Sequence, residues 1–482
     1  MTHPAALTAD GGPNARSQQV ITAALLLLTT MIAFENMAVA TAMPVVAAEL
    51  GALESYGLAF STMMTAMLLG IVLAGPWTDR AGPLPPVVWG QALFAGGAIL
   101  CGAAPSFGAL LLGRVVTGLG AGLVIVVEFV IVGRAFAPAD RPRVFSYISA
   151  AWILPSLVGG PIAGWLATTV SWRWVFWVVV LPAGLGFALF MARRDALRGA
   201  EPTPLDGDAG AEAGRQDHRR TARLGALVAV SAGLVQLAIH EHERLMPWMS
   251  GIGLLGLLGV ALSAPRLLPA GTFRSARGLP SIVLTRGLLN GSFLGGFAYL
   301  PLMLTRENGL TPAVAGLVLA VGSLGWSAGS WAQGRSARRG IDERAHLVVA
   351  GAGMLAVGWA AFVGLTLAHA PVWAYGLVIV LGGLGMGLGS TTLSGLVLEV
   401  SPDHEHGRAS AALQLSDVLG TVVGLAGATA AFAATHIPGE HRGYVVVWVG
   451  LAAFGALGIL SASRCASAGP LRPRDDVTQP SP

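Results

Sequence analysis

The sequence predicts an all-α membrane protein with fourteen transmembrane helices, and three observations support this fold class. The chain has 482 residues, of which 54% are hydrophobic and 11% charged, whereas a soluble domain has about a quarter of its residues charged. Apolar runs of about 20 residues, the length that crosses a bilayer, recur along the whole chain. Two blocks of these runs look alike, which is typical of transporters built from repeats. The composition excludes an ordinary soluble enzyme, and no catalytic site, cofactor or metal is expected.

Charged and proline-rich clusters separate the predicted spans. An N-terminal six-helix bundle is predicted within 1–192, with spans at 20–46, 56–77, 84–104, 107–135, 144–169 and 173–192. An Arg-rich stretch without aromatic residues, 193–223, predicts a polar cytoplasmic loop. Two inserted spans are predicted within 224–266, at 224–240 and 247–265. A C-terminal six-helix bundle is predicted within 267–464, with spans at 280–304, 312–334, 345–369, 372–400, 408–435 and 443–463, and 465–482 forms a cytoplasmic tail.

The distribution of Arg predicts the orientation in the membrane. All 29 basic residues are Arg, and most fall in the loops on the same side as both termini. The exceptions are Arg173, Arg244, Arg306 and Arg442 in the opposite loops, and Arg114 and Arg286 within spans. Because cytoplasmic loops are enriched in basic residues, we expect both termini to be cytoplasmic in a bacterial plasma membrane. The net charge of +4 does not indicate a nucleic-acid partner, since no solvated basic domain is present.

Local matches between the two six-span blocks indicate an internal duplication. GPWTDRAG in the first block corresponds to GSWAQGRSARRG in the second, and APADRPRVFS corresponds to SPDHEHGRAS. Pro44 corresponds to Pro301 at a similar interval. A shared interval is harder to obtain by chance than any single match, so two related halves are expected.

Four segments carry a resemblance to a known family. They read FENMAVATAMP in the first span, GPWTDRAGPLPP after the second, LLLGRVVTGLGAGL in the fourth and ILPSLVGGPIAGW in the fifth. Together they resemble the motifs of the major facilitator superfamily, in particular its drug:proton antiporters with fourteen spans. The resemblance implies the major facilitator fold and export of lipophilic or cationic compounds in exchange for protons, by alternating access of two halves. A chain without Lys cannot contain the GxxxxGK[ST] loop of an ATP-driven pump.

Two of these motifs imply conformational roles. After the second span, Gly75, Asp79, Arg80 and Gly82 match the family's short loop, which implies a latch in which Asp79 accepts hydrogen bonds from a neighbouring helix. The alternative is a charge pair that only keeps this loop inside. In the fifth span, the family's antiporter motif keeps three positions that imply a pivot or seal, and a simple small-residue packing seam is the alternative; these positions are Gly160, Pro161 and Gly164.

The strongest candidate for proton coupling is a carboxylate deep in the first span. Glu35 lies about fifteen residues into its helix, ~22 Å from the cytoplasmic face at 1.5 Å per residue. Arg114 matches the family's buried arginine and lies at a similar depth in the fourth span, so we expect an ion pair. A carboxylate is costly to ionise away from water, and a nearby cation favours its ionised form. An Arg that moves with conformation would therefore load and unload a proton; a static pair and a carboxylate that touches only substrate are the alternatives.

Two further carboxylates are candidates for proton coupling. Glu128 lies two heptads after Arg114, so both should face inward from the same side of the fourth span. Asp417 lies within the thirteenth span, where packing through water is the alternative to a functional role. Arg286 and Asn290, one turn apart in the ninth span, are candidates for the cavity wall, with Arg286 able to reach the cytoplasmic surface.

The substrate cavity is expected between spans 1, 4, 9 and 12, by analogy with the family. Its weaker wall candidates are Phe34, Met37, Asn290, Phe293 and Tyr299. The expected partners are a lipophilic small molecule, protons and the lipid bilayer, and the chain is expected to be a monomer. Export of one defined metabolite, siderophore or lipid is the alternative within transport; uptake by symport and a non-transporting membrane sensor are the others.

Overall fold

The structure is a computed structural model that describes residues 15–136, 151–195, 222–235, 246–334, 341–401, 406–437 and 440–465, with single positions between them. These residues form helices and connecting turns, with no β-strand among them. The first helices are α1 (Ala15–Glu49), α2 (Leu58–Ala81), α3 (Leu84–Gly102), α4 (Phe107–Ala135), α5 (Ile153–Leu166), α6 (Arg173–Trp177) and α7 (Val180–Ala192). Next come α8 (Ala222–Val235) and α9 (Met246–Leu267). The last are α10 (Leu279–Arg306), α11 (Pro312–Gly334), α12 (Ile341–Leu367), α13 (Val372–Glu399), α14 (His406–Thr435) and α15 (Arg442–Ala462).

The predicted fold class is confirmed. Within the described residues, eleven helical segments are long and apolar enough to cross a membrane. Three shorter apolar helices, α5, α8 and the apolar part of α9, lie where the fifth, seventh and eighth spans are predicted. Only helices satisfy every backbone polar group within one segment, which is why an apolar chain crosses lipid in this form.

The fifth and sixth spans are less regular than predicted. The fifth continues past α5 as a π-helix, Ala167–Ser171, and the sixth is divided by a turn between α6 and α7. Pro182 explains the division, because proline has no N–H to donate to the carbonyl of Val178 four residues earlier. Hydropathy alone does not reveal either interruption, since both segments remain apolar.

The two six-span groups pack in the same pattern. In the N-terminal group, α2 and α3 both pack on α4, while α1 packs on α5 and α7. In the C-terminal group, α11 and α12 both pack on α13, while α10 packs on α14 and α15. The groups meet crosswise, with α5 against α11 and α2 against α14. This arrangement relates the groups by a pseudo-twofold axis, as expected for two repeated halves.

The closest approaches between the groups lie toward one face of the molecule. We call the face with Ala15 and Ala462 the termini face, and the face with Glu49 and Pro312 the distal face. Toward the distal face, Gly160 of α5 lies against the backbone of Gly316 of α11, and Gly57 before α2 lies against Thr429 of α14. The halves are thus closed together at the distal face.

The two inserted helices lie beside the N-terminal group. Gly225 of α8 lies against Val72 of α2, and Gly256 and Gly259 of α9 lie against α8 at Ser231. Small residues let these helices approach closely. Residues 239–245 between them lie outside the described residues.

Candidate functional site

A buried ion pair lies in the centre of the N-terminal group. Nη1 of Arg114, on α4, donates a hydrogen bond to Oε1 of Glu35 on α1, and the two side chains are only 2% and 1% exposed. Nε of Arg114 donates to the carbonyl oxygen of Ala59 on α2, at 2.8 Å. The pair, called the N-terminal ion pair below, therefore joins three helices. It faces the protein interior and not lipid, where an unpaired charge would be costly.

One carboxylate oxygen of this pair is still able to accept a hydrogen bond. Oε2 of Glu35 is buried and has no hydrogen-bond partner among the described residues. A buried carboxylate oxygen without a donor is unfavourable, so this atom has capacity for a proton or for a donor group of a ligand. Cys101 is fully buried and packs against Gly113, the residue before Arg114.

Glu128 lies about four helical turns nearer the termini face than Arg114, on the same side of α4. Its Oε1 accepts a hydrogen bond from the hydroxyl of Thr29 on α1, at 3.2 Å. The residue is 5% exposed. Glu128 and Arg114 thus both face α1, as their spacing indicates, but Glu128 is held by a neutral hydroxyl and not by a cation.

The structure brings Asp417 together with Arg286 and Asn290, two residues of one span that the sequence did not connect with Asp417. Nε of Arg286 on α10 donates to Oδ1 of Asp417 on α14, and Asn290 donates to the same oxygen. Arg286 also donates to the carbonyl of Ser390 and, at 3.2 Å, to the hydroxyl of Ser394, both on α13. Three acceptors thus hold the guanidinium of Arg286 in this conformation, and its place on the cavity wall stays a prediction. We call this group the C-terminal ion pair.

The antiporter motif forms the contact between α5 and α11. A β-carbon at Gly160 would lie 2.8 Å from the carbonyl oxygen of Gly316, and one at Gly164 would lie 2.3 Å from the backbone nitrogen of Ala313. Real β-carbons do not approach other atoms so closely, so the two backbones touch directly. Pro161 lies between these glycines inside α5.

The short loop of the predicted latch is described only in part. Gly82 links α2 to α3 with a φ of 74°, a conformation that favours glycine. Gly75 and the exposed Arg80 lie in the last turns of α2. The side chain of Asp79 lies outside the described residues.

The predicted wall residues separate into two sets. Phe34 and Met37 are half-buried on α1 beside Gly159 of α5, and Phe293 packs edge-on against Trp326, with 5.4 Å between ring centroids. Tyr299 does not belong with them. It is fully buried near the distal face, 5.5 Å from the ring of Tyr56 and 5.2 Å from the ring of Phe432. Its prediction as a cavity wall is wrong in this conformation, because the closed halves enclose it.

These aromatic rings form part of a contact that sequence analysis missed. We define the distal gate as Tyr56, Gly57, Ala298, Tyr299 and Thr429. Tyr56 belongs to the turn between α1 and α2, and its hydroxyl donates to the carbonyl of Ala298 on α10, at 2.8 Å. Beside the gate is a cavity of about 230 Å³ between the halves, lined by Leu53, Leu302, Arg306, Glu307, Phe432, His436 and Tyr444. A single Tyr in a short turn carries no periodic signal, which is why the pattern did not reveal it.

Comparison with known proteins identifies the family. The family model described as Major Facilitator Superfamily matches residues 25–425. Over 378 residues the chain is 29% identical to the multidrug resistance protein B homolog of Mycobacterium tuberculosis, which covers 75% of this chain and 66% of that relative. It is 24% identical over 321 residues to the multidrug efflux pump SdrM of Staphylococcus aureus, covering 64% of this chain and 68% of that protein. The match thus spans just under two thirds of the length of the M. tuberculosis relative.

Solved structures of low sequence identity share the fold. A POT family transporter in complex with a thioalcohol-conjugated peptide has a TM-score of 0.68 and 13% identity, covering 93% of this chain and 94% of that one. A bacterial homologue of the human lysosomal transporter Spinster has a TM-score of 0.61 and 15% identity, covering 94% and 96%. The duplicated helix packing, the motifs and the matched family model together establish that this chain belongs to the major facilitator superfamily.

Proposed function

We propose that the protein exports lipophilic, often cationic, small molecules in exchange for protons. The observation that carries this proposal is the N-terminal ion pair, in which a carboxylate and a guanidinium are withdrawn from water on different helices. Such a charge inside a membrane protein is costly and marks a functional site by default. The names of the relatives, a multidrug resistance protein homolog and a multidrug efflux pump, support drug-like substrates.

The pair provides a direct coupling mechanism. In the distal-closed state the guanidinium of Arg114 lies against the carboxyl group of Glu35 and compensates its charge. The opening of the distal face would be accompanied by a rearrangement of α1 against α4 within the N-terminal group, which would separate the pair. An unpaired buried carboxylate favours its neutral form, so Glu35 would then take up a proton from the distal side. Return to the distal-closed state would release that proton on the termini side.

Orientation sets the direction of exchange. The excess of Arg on the termini face supports a cytoplasmic location of that face in a bacterial plasma membrane. Protons then move inward down their gradient while substrate moves outward. One charge crossing 100 mV supplies ~2.3 kcal/mol, which drives modest accumulation for each proton.

Other predicted residues have roles consistent with this cycle. Glu128 and Asp417 are further sites for protons, Glu128 because only a neutral hydroxyl satisfies it and Asp417 because it forms the second buried pair. The glycines of the antiporter motif would act as the seam on which α5 and α11 turn. Asp79 and Arg80 would latch the termini face when it closes. The six-helix bundles within 1–192 and 267–464 would be the two moving bodies, with the chain working as a monomer.

The experiment is transport by purified protein in lipid vesicles with an imposed pH gradient and a lipophilic cationic dye. Glu35→Gln keeps the shape of the side chain but removes the proton-binding carboxylate. We expect pH-driven dye transport to fall at least ~10-fold, in line with loss of a general acid–base group, while dye binding remains. Glu49→Gln is the matched control, since Glu49 is at the exposed end of the same helix and its pair with Arg173 is on the surface.

Three results would overturn parts of the proposal. Undiminished pH-driven transport by Glu35→Gln would remove Glu35 from the coupling mechanism. Wild-type vesicles that move neither dye nor protons would favour a non-transporting sensor. Transport restricted to one compound among many would favour the exporter of a single metabolite, siderophore or lipid.

A further inference from the structure

Tyr56 joins the two halves through a hydrogen bond that one half alone cannot make. Its hydroxyl belongs to the N-terminal group and the carbonyl of Ala298 to the C-terminal group, with 2.8 Å between the oxygens. The side chain of Tyr56 is fully buried. Its ring also packs against Phe60 on its own side and Tyr299 on the other, at 5.4 and 5.5 Å between centroids.

The accepting carbonyl lies at an unusual place in α10. Pro301 lies inside this helix and has no N–H to donate to the carbonyl of Phe297. Helices bend at such prolines, and the carbonyls of the preceding turn are where the intrahelical ladder weakens. The carbonyl that Pro301 leaves without its helical donor is that of Phe297, and Ala298, which accepts from the hydroxyl of Tyr56, is the next residue in the same turn.

The donor remains a donor across the physiological pH range. Burial, with smaller contributions from Tyr299 and Tyr444, raises the pKa of Tyr56 well above its ordinary value. The charged groups nearest the gate cavity, Arg306 and Glu307, lie at the end of α10, and His436 lies at the end of α14, stacked on Phe432 at 4.4 Å between centroids. The hydrogen bond therefore depends on the conformation of the two halves and not on titration of Tyr56.

We propose that Tyr56 is a latch that holds the distal gate closed by donating to the backbone carbonyl of Ala298 across the two halves, so that it sets the ratio of distal-closed to distal-open protein. This inference rests on the proposed alternating-access function, because a latch requires a state in which it is undone. Opening separates the hydroxyl from the carbonyl, and both must then be satisfied by water. The latch thus acts in one state only, which is the condition for shifting a conformational equilibrium.

The test measures conformation without requiring transport. Spin labels are attached at Ala103→Cys and Glu440→Cys, two exposed distal positions on different halves, and their distance distribution is recorded by pulsed electron paramagnetic resonance in nanodiscs. Native Cys101 and Cys465 are fully buried and stay in place. In Tyr56→Phe, which keeps the ring, we expect the ratio of long to short distances to rise about 2- to 10-fold, the effect of losing one net hydrogen bond.

A matched control separates the latch from general loosening. Tyr375→Phe removes a hydroxyl that also donates to a backbone carbonyl, that of Leu365 at 3.0 Å, but within the C-terminal group. Its distance distribution should equal that of wild type. An unchanged distribution in Tyr56→Phe would overturn the latch, and so would an equal shift in Tyr375→Phe.

If the distances shift while vesicles carry out no pH-driven export, the latch stands and the proposed function fails. If export is proton-driven but the distances do not move, the reverse holds.

Discussion

At the scale of single residues, Arg114 makes three kinds of contact that a smaller side chain could not make together. It neutralises Glu35, donates to the carbonyl of Ala59 and fills space among α1, α2 and α4. Removing one partner of a buried pair leaves an uncompensated charge, which typically costs about 3–5 kcal/mol. Glu35 avoids that cost by becoming neutral, so the proton chemistry and the stability of this centre are linked.

This linkage predicts the behaviour of Arg114→Ala. The carboxyl of Glu35 then ionises less readily, so proton release needs a more alkaline termini side and the pH profile of transport moves to higher pH. The measurement is dye transport in vesicles at a series of internal pH values with the gradient held constant. Arg173→Ala, which breaks only the surface pair with Glu49, is the control. A pH profile identical to that of wild type would exclude the pair from coupling.

At the scale of helices, the contact of α5 with α11 consists of backbone on backbone. A β-carbon at Gly316 would lie 2.6 Å from the carbonyl carbon of Gly160 and 2.8 Å from Thr41 of α1. A helix backbone cannot move away from an added β-carbon unless the whole helix moves. The contact therefore tolerates only the smallest side chain while the distal face is closed.

Gly316→Ala should accordingly disfavour the closed state. Overpacking typically costs about 1–3 kcal/mol, and that cost disappears when the halves part, so we expect more distal-open protein in the spin-label measurement. Gly427→Ala is the control, because a β-carbon at Gly427 of α14 meets no atom within 4 Å. An unchanged distance distribution in Gly316→Ala would contradict the inference that this contact excludes a larger side chain in the distal-closed state.

At the scale of the whole molecule, closure at the distal face implies access from the termini face. Arg286 and Asp417 are each 16% exposed, and Ser394 beside them is exposed. A charged pair turned toward lipid would be costly, so their open side faces water between the halves. The C-terminal ion pair then lies on the wall of a cleft that opens to the termini face.

Thiol labelling from each side of the membrane tests this arrangement. Ser394→Cys should react with a membrane-impermeant thiol reagent in inside-out vesicles, and much more slowly in intact cells. The wild-type chain is the background control, since both native cysteines are buried. Equal labelling from both sides, or faster labelling in intact cells, would contradict the proposed orientation.

Much of the fold and part of the site follow from the sequence, for identifiable reasons. Span positions depend on local hydropathy, and the depth of Glu35 and Arg114 could be counted along each helix, so their pairing could be expected. Arg286 and Asp417 both lie in the first half of their spans, so their similar depth is a signal that the sequence also carries. Tyr56 could not be found this way, because its partner is a backbone carbonyl and its importance arises only when two halves meet.

The cavity beside the distal gate has a pharmacological consequence. Its lining comes mainly from the C-terminal group, including Phe432 and Tyr444, and Leu53 of the N-terminal group closes one side, so the cavity would lose that side when the halves part. A compact amphiphilic compound that fills these 230 Å³ would bind that form alone and, by mass action, deplete the other. Such a compound would act from the distal face, and a mutant that resists it would change residues of this rim and not of the membrane interior.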